Sequence, residues 1–143
     1  MLISTKGRYA LRVMLDLAQH PSEGYTPLKE IARRQEISEK YLEAIIKILV
    51  KAKLLSGVRG KGGGYKLNRS PEQYTIGSVL RLTEDSLAPV SCLEEDALPC
   101  VRAAECLTLP VWQGLNRVIN EYLEGITLAD LLRREAKGND YVI

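Results

Sequence analysis

The chain has 143 residues, 45% hydrophobic and 27% charged, with three cysteines, one histidine and a net charge of +2. That is the size of one ordinary domain with a core of its own. Without a long apolar run, and with charge entering from Lys6 onward, neither a membrane span nor a secretory leader is expected, and the reading is cytoplasmic. The small net charge hides an asymmetry: residues 1–70 hold 14 Lys and Arg against 6 Asp and Glu, a balance of +8, whereas residues 71–143 hold 6 against 12, a balance of −6. A basic half of this kind is the footprint of a polyanion binder, although a solvated basic face is the commoner explanation.

Along TKGRYALRVMLDLAQH, Tyr9, Ala10, Val13, Met14, Leu17 and Ala18 recur on one helical face until Pro21 stops the run. Thr26 before Pro27 reads as a cap and a first-turn proline, opening a short second helix over Leu28, Ile31 and Ala32 that ends near Gln35. Ser38 caps a third helix. Its apolar set Leu42, Ile45, Ile46 and Leu49 falls at spacings 0, 3, 4 and 7, leaving Glu39, Lys40, Glu43, Ala44 and Lys47 outward. With only Glu36 and Ile37 between them, the two helices form a helix-turn-helix. Ser56–Arg59 and Gly64–Leu67 then read as two short strands around the tip Gly60, Lys61, Gly62, Gly63. Helix, turn, helix, hairpin is a winged-helix order.

The glycine-rich VRGKGGGYKL lacks the Lys-Ser/Thr ending and the following helix of a phosphate loop. A plain glycine turn is the alternative to a DNA-gripping wing. What favours DNA is the conjunction. Glycines permit close backbone approach, Arg59 and Lys61 reach for phosphate or the groove floor, and the helix of residues 38–50 presents Ser38, Lys40, Tyr41 and Glu43 near the end where recognition helices touch bases. Ser4, Lys6, Gly62, Gly63 and Tyr65 complete the expected contact set. Glu43 has two readings, a solvent pair with Lys40 or Lys47 and an acceptor for a cytosine amino group.

Thr75 caps a further helix with Ile76, Val79 and Leu80 inward. Regularity then fails through SLAPVSCLEEDALPCVRAAEC, which is read as a functional loop. Cys92, Cys100 and Cys106 follow C-x7-C-x5-C, neither zinc-ribbon nor ferredoxin spacing, and metal ligation and three ordinary thiols stay open. The carboxylates Glu94, Glu95, Asp96 and Glu105 should disfavour a reactive thiolate. Beyond the loop, Trp112, Leu115, Ile119, Tyr122 and Ile126 step by 3, 4, 3 and 4, the stripe of a helix that packs on a dimer partner or on its own domain. Thr127 and Asp130 open a last helix, and KGNDYVI has too little apolar surface to order itself. One histidine and scattered carboxylates assemble no catalytic set.

The start MLISTKGRYALRVMLDLA, the central YLEAIIKIL, the hairpin VRGKGGGYKL, the three late cysteines and the closing ITLADLL together resemble IscR-like iron-sulfur regulators of the Rrf2 superfamily, across residues 1–135. The resemblance implies a mostly α fold. A winged helix-turn-helix DNA-binding domain with a β-hairpin wing would span residues 1–85, a cluster-binding loop 86–107, and a long dimerisation helix with a short last helix and tail 108–143. It also implies a homodimer on double-stranded DNA at a pseudo-palindromic operator. Its iron-sulfur cluster, commonly [2Fe-2S], would be held by Cys92, Cys100 and Cys106. Related branches are nitric-oxide-sensing NsrR-like repressors and CymR-like regulators of cysteine metabolism, cluster-free and controlled by a partner protein; the three cysteines argue against the CymR-like branch. One departure stands out: the family pattern C-L-T-H places a histidine ligand where this chain has Leu109, and positions 8 and 12, where some relatives carry a carboxylate, are Arg8 and Arg12.

Overall fold

The computed structural model describes residues 1–136, and the expectation for the tail concerns residues outside that range. The elements run α1 (Thr5–Gln19), α2 (Leu28–Gln35), α3 (Glu39–Lys51), β1 (Leu55–Val58), β2 (Gly64–Leu67), α4 (Ile76–Thr83), α5 (Leu109–Glu124) and α6 (Leu128–Ala136), with short 3₁₀ turns at Pro71–Gln73, Ser91–Leu93 and Ala103–Glu105. This is a mostly helical winged helix-turn-helix.

The helices start where their cap chemistry places them, except α2 and α5, whose cap positions Pro27 and Thr108 make no side-chain cap bond. The Ser4 hydroxyl accepts from Gly7 N–H at 3.0 Å, Ser38 from Tyr41 N–H at 3.3 Å, and Thr75 from Ser78 N–H at 3.0 Å. Thr26 was expected to cap α2, but the cap position is Pro27 and no side chain bonds there. Thr26 is instead drawn into the wing, exchanging backbone hydrogen bonds with Tyr65 at 2.8 Å in both directions. That pairing explains the last wing glycine: Gly64 has φ +147°, and a Cβ there would collide with the Thr26 carbonyl. The hairpin register pairs Leu55 with Leu67 and Val58 with Gly64, so Arg59 falls in the turn rather than in the strand expected to include it.

The core gathers Ala10, Val13, Met14 and Leu17 of α1, Ile31 of α2, Leu42, Ile45, Ile46 and Leu49 of α3, and Val79 and Leu80 of α4. The 0, 3, 4, 7 set of α3 is buried in full. The charged residue Asp16 is also fully buried. Arg34 clamps it with two bonds, Nη2 to Oδ1 at 2.7 Å and Nε to Oδ2 at 3.1 Å, and Gln35 Nε2 donates to Oδ2 at 2.8 Å. The end of α2 is thereby fastened to α1 immediately before the helix-turn-helix bend, where Glu36 takes φ 55° and Ile37 turns inward.

Tyr74, fully buried, ties the wing exit to the turn between α3 and β1. Its hydroxyl donates to Leu54 O at 2.9 Å and accepts from Asn68 and Arg69 N–H at 3.1 Å each. Tyr74→Phe is expected to cost about 1–3 kcal/mol in urea unfolding, because the partners lose a buried bond. Burial pushes the phenol pKa up, with the Asn68 and Arg69 N–H bonds working the other way. With the folded value above the unfolded one, the contribution is complete below about pH 10 and is lost as pH rises through the folded value; Tyr74→Phe should flatten that alkaline limb.

After α4 the chain leaves the core for the cysteine loop and returns along α5. The far end of α5 is locked to α4: Arg81 pairs with Glu124 and donates to Asn120 Oδ1 at 3.0 Å, while Thr75 Oγ1 donates to Glu124 at 3.1 Å. Arg81 and Thr75 hold the Glu124 carboxyl below the usual carboxylate range against the opposing effect of burial. Ile76 N–H then bonds Ile126 O at 2.9 Å and Leu128 N–H bonds Tyr74 O at 3.0 Å, so α6 packs into the winged core with Leu128 fully buried. The α6 start is a reciprocal cap, Asp130 N–H to Thr127 Oγ1 at 3.1 Å and Thr127 N–H to Asp130 Oδ2 at 2.8 Å.

Candidate nucleic-acid interface and cysteine loop

Between α3 and the wing lies an open cleft of about 460 Å³, lined by Glu43, Ile46, Lys47, Val50, Lys51, Gly57, Val58, Arg59 and Tyr65. It brings together three residues expected at the DNA contact, Glu43, Arg59 and Tyr65. It adds two that the sequence reading left out of the site, Lys47 and Lys51. Their signal was present: both sit one or two helical turns beyond Glu43 on the outward face. Three cations against one carboxylate give the cleft a positive lining suited to a phosphate backbone.

Glu43 is paired with Lys47, Nζ to Oε1 at 3.8 Å, both side chains being exposed. Of the two lysines in reach of Glu43, Lys40 and Lys47, it meets Lys47. Ser38, Lys40 and Tyr41 lie exposed at the amino-terminal end of α3. The Ser38 hydroxyl is engaged as the helix cap, which leaves its oxygen facing the α3 backbone. Lys61 and Gly62 are exposed at the wing tip and Gly63 is half-buried behind them. Lys6 is exposed, but Ser4 is occupied: its hydroxyl donates to Glu84 Oε2 at 2.6 Å and its N–H to Glu84 Oε1. Burial opposes the Glu84 charge, and the Ser4 bonds outweigh it, so the carboxyl lies below the usual range.

On α5, Trp112, Leu115 and Tyr122 are exposed to 36%, 43% and 63%, flanked by Val111 and Val118, also exposed. Ile119 is half-buried. Ile126, expected on the same stripe, lies past the end of α5 and packs against this chain's own core, because Gly125 ends the helix and the backbone turns to pair with Ile76.

The three cysteines are free thiols, Cys92 and Cys100 exposed and Cys106 half-buried. Thiolates are the ligands that iron-sulfur clusters take, and the loop supplies three in one accessible segment. The structure does not gather them. Among the described residues no group of three or more His, Cys, Asp or Glu is placed to hold a metal ion, and Leu109 at the start of α5 offers no donor. Arg12 is committed to Gln35 and Arg8 to Thr5. The loop therefore fits a cluster in kind of donor but not in number or arrangement. The expectation that carboxylates disfavour a thiolate fails at Cys106: the Thr108 hydroxyl, 3.5 Å from Sγ, and the Thr108 and Leu109 N–H groups hold this thiol below its ordinary value.

The sequence profile of the Rrf2 family, described as iron-dependent transcriptional regulators, matches residues 3–134. The chain belongs to the Rrf2 family. It is 41% identical over 135 residues to the HTH-type transcriptional regulator IscR of Sodalis glossinidius, covering 94% of this chain and 81% of that one. Among solved structures, T. potens IscR superposes with a TM-score of 0.75 at 39% identity, covering 100% of this chain and 93% of that one. CymR, described as the global cysteine regulator of B. subtilis, gives 0.72 at 38% identity, covering 92% and 95%. The IscR-like resemblance and the winged-helix fold are thus borne out, and the family is one of transcriptional regulators rather than enzymes. No described helix of this Rrf2 protein is long and apolar enough to cross a membrane.

Proposed function

We propose that this Rrf2 regulator acts as a homodimer that binds a pseudo-palindromic DNA site and adjusts its affinity through its cysteine loop. The α3–wing cleft carries the reading. The amino-terminal end of α3 lies in the major groove, with Tyr41 and Glu43 toward base edges, while Lys47, Lys51, Arg59 and Lys61 take phosphates. The face of Trp112, Leu115, Ile119 and Tyr122 on α5 meets its counterpart on a second copy and sets the two recognition helices about one DNA turn, ~34 Å, apart.

Cys92, Cys100 and Cys106 would hold an iron-sulfur cluster, [2Fe-2S] in the IscR-like reading, with the fourth ligand supplied from outside these three. When bound, such a group supplies a one-electron redox centre. The chain's own contribution is the loop that separates Glu84, which caps the amino terminus through Ser4, from α5, which carries the dimer face. Ordering of that loop would change how the two are held. The scattered thiols, and a likeness to CymR only a little short of that to T. potens IscR, favour a second reading, a cluster-free regulator controlled by a partner protein.

Protein purified without oxygen separates the two. The first reading predicts visible absorption at about 400–500 nm, the range associated with the iron-sulfur resemblance, lost on changing all three cysteines to serine. It also predicts a change in operator affinity of about 5- to 150-fold in that variant, the usual span of such coupling. Colourless protein whose affinity is unmoved by the triple substitution leaves the second reading.

A further inference from the structure

One array of contacts reaches Tyr41 from behind and involves none of the other residues assigned to DNA. Tyr9 of α1 meets Tyr41 edge to face, ring centroids 5.8 Å apart and planes at 76°. The Arg12 guanidinium lies 5.0 Å from the centroid of the Tyr9 ring. Arg12 is itself anchored at the last residue of α2: its Nε donates to Gln35 Oε1 at 3.1 Å, and a terminal nitrogen donates to the Gln35 carbonyl. A chain of contacts Gln35, Arg12, Tyr9, Tyr41 thus runs through α1, α2 and α3. Tyr9 is half-buried against the core, whereas Tyr41 remains 37% exposed.

A tyrosine on an open helix face samples several rotamers, and fixing it at the moment of binding costs affinity. Edge-to-face aromatic packing and a cation over a ring are contacts that fix it beforehand. We propose that Tyr9 and Arg12 are positioning residues for sequence readout, holding the Tyr41 ring in the orientation that meets base edges. This rests on the reading that the amino-terminal end of α3 enters the major groove. Arg12, spent on Gln35 and Tyr9, then contributes to the preference among sequences and not to the phosphate contacts.

The test compares Tyr9→Leu, Tyr9→Phe, Arg12→Leu and Tyr41→Ala by fluorescence anisotropy, on a duplex enriched from a randomised pool and on a random duplex, across a salt series. Tyr9→Leu and Arg12→Leu should lower the ratio of enriched-site to random affinity by about 3- to 10-fold, with random-duplex affinity and salt slope unchanged. Tyr9→Phe keeps the ring and should keep the ratio. Unchanged random-duplex binding also serves as the control that each variant is folded. A salt slope shallower by about one for Arg12→Leu would reveal a phosphate contact and overturn the proposal. A loss of the ratio in Tyr9→Phe would assign a DNA contact to the hydroxyl and overturn it too. If Tyr41→Ala loses preference while Tyr9→Leu and Arg12→Leu keep it, readout by α3 stands and the positioning role falls. If Tyr41→Ala keeps full preference, readout by Tyr41 fails and the positioning role falls with it.

Discussion

Asp16→Ala should lower the unfolding free energy by about 3 kcal/mol, the low end of the range for breaking a buried ion pair. The low end applies because Arg34 keeps 19% of its side chain exposed and can turn partly to water, whereas Asp16 is 0% exposed. For a chain of this size the melting temperature should fall by roughly 6–12 °C. The loss comes less from the missing attraction than from what stays behind: a guanidinium and the Gln35 amide facing a site with no acceptor. Asp16→Ala combined with Arg34→Leu should therefore recover much of the stability, and a double-mutant cycle by urea unfolding reads the coupling directly. Because the pair fastens α2 to α1 next to the bend into α3, the single variant should also lose DNA affinity at temperatures where it is still folded. Full stability in Asp16→Ala would mean that the pair holds nothing together.

Leu115→Asp should weaken self-association by about 30- to 1,000-fold, the effect of placing a charge at the centre of a packed apolar interface. Leu115 lies midway along the exposed face between Trp112 and Tyr122, on a helix anchored to the winged core at its far end through Arg81 and Glu124. The substitution touches no core residue, so thermal stability at low protein concentration should stay close to that of the parent chain. Sedimentation should show dimer becoming monomer, and affinity for a two-half-site duplex should fall toward that for one half-site. An unchanged dimer would place the interface elsewhere than on α5.

Local chemistry carried most of the fold. The Leu42, Ile45, Ile46, Leu49 spacing, the caps Ser38 and Thr75, and the glycine hairpin each act within a few residues, so each was legible from sequence. Where tertiary contacts decide, the pattern was silent. Thr26 looks like a cap in sequence, yet its backbone pairs with Tyr65, 39 residues away. Ile126 continues an apolar step beyond α5, but the chain has already turned to join Ile76. Burial of Asp16 has no local signal, because the Arg34 that folds over it lies 18 residues further along the chain. Within the candidate site, Lys47 and Lys51 were legible as outward cations, but only the wing packed alongside makes them walls of a cleft. The thiol of Cys106 was misjudged because acidic neighbours in sequence count for less than the Thr108 hydroxyl and backbone N–H groups beside it in space.

If the positive α3–wing surface of a dimer grips duplex DNA, the chain should enrich specific duplexes from a randomised pool, and the enriched duplex can then be bound across a salt series. The expected result is a two-fold symmetric site with half-sites about one helical turn apart, and an affinity that falls linearly in log–log form by about 0.9 per phosphate contacted. No enrichment, together with affinity for duplex that does not change between about 50 and 200 mM salt, would contradict it.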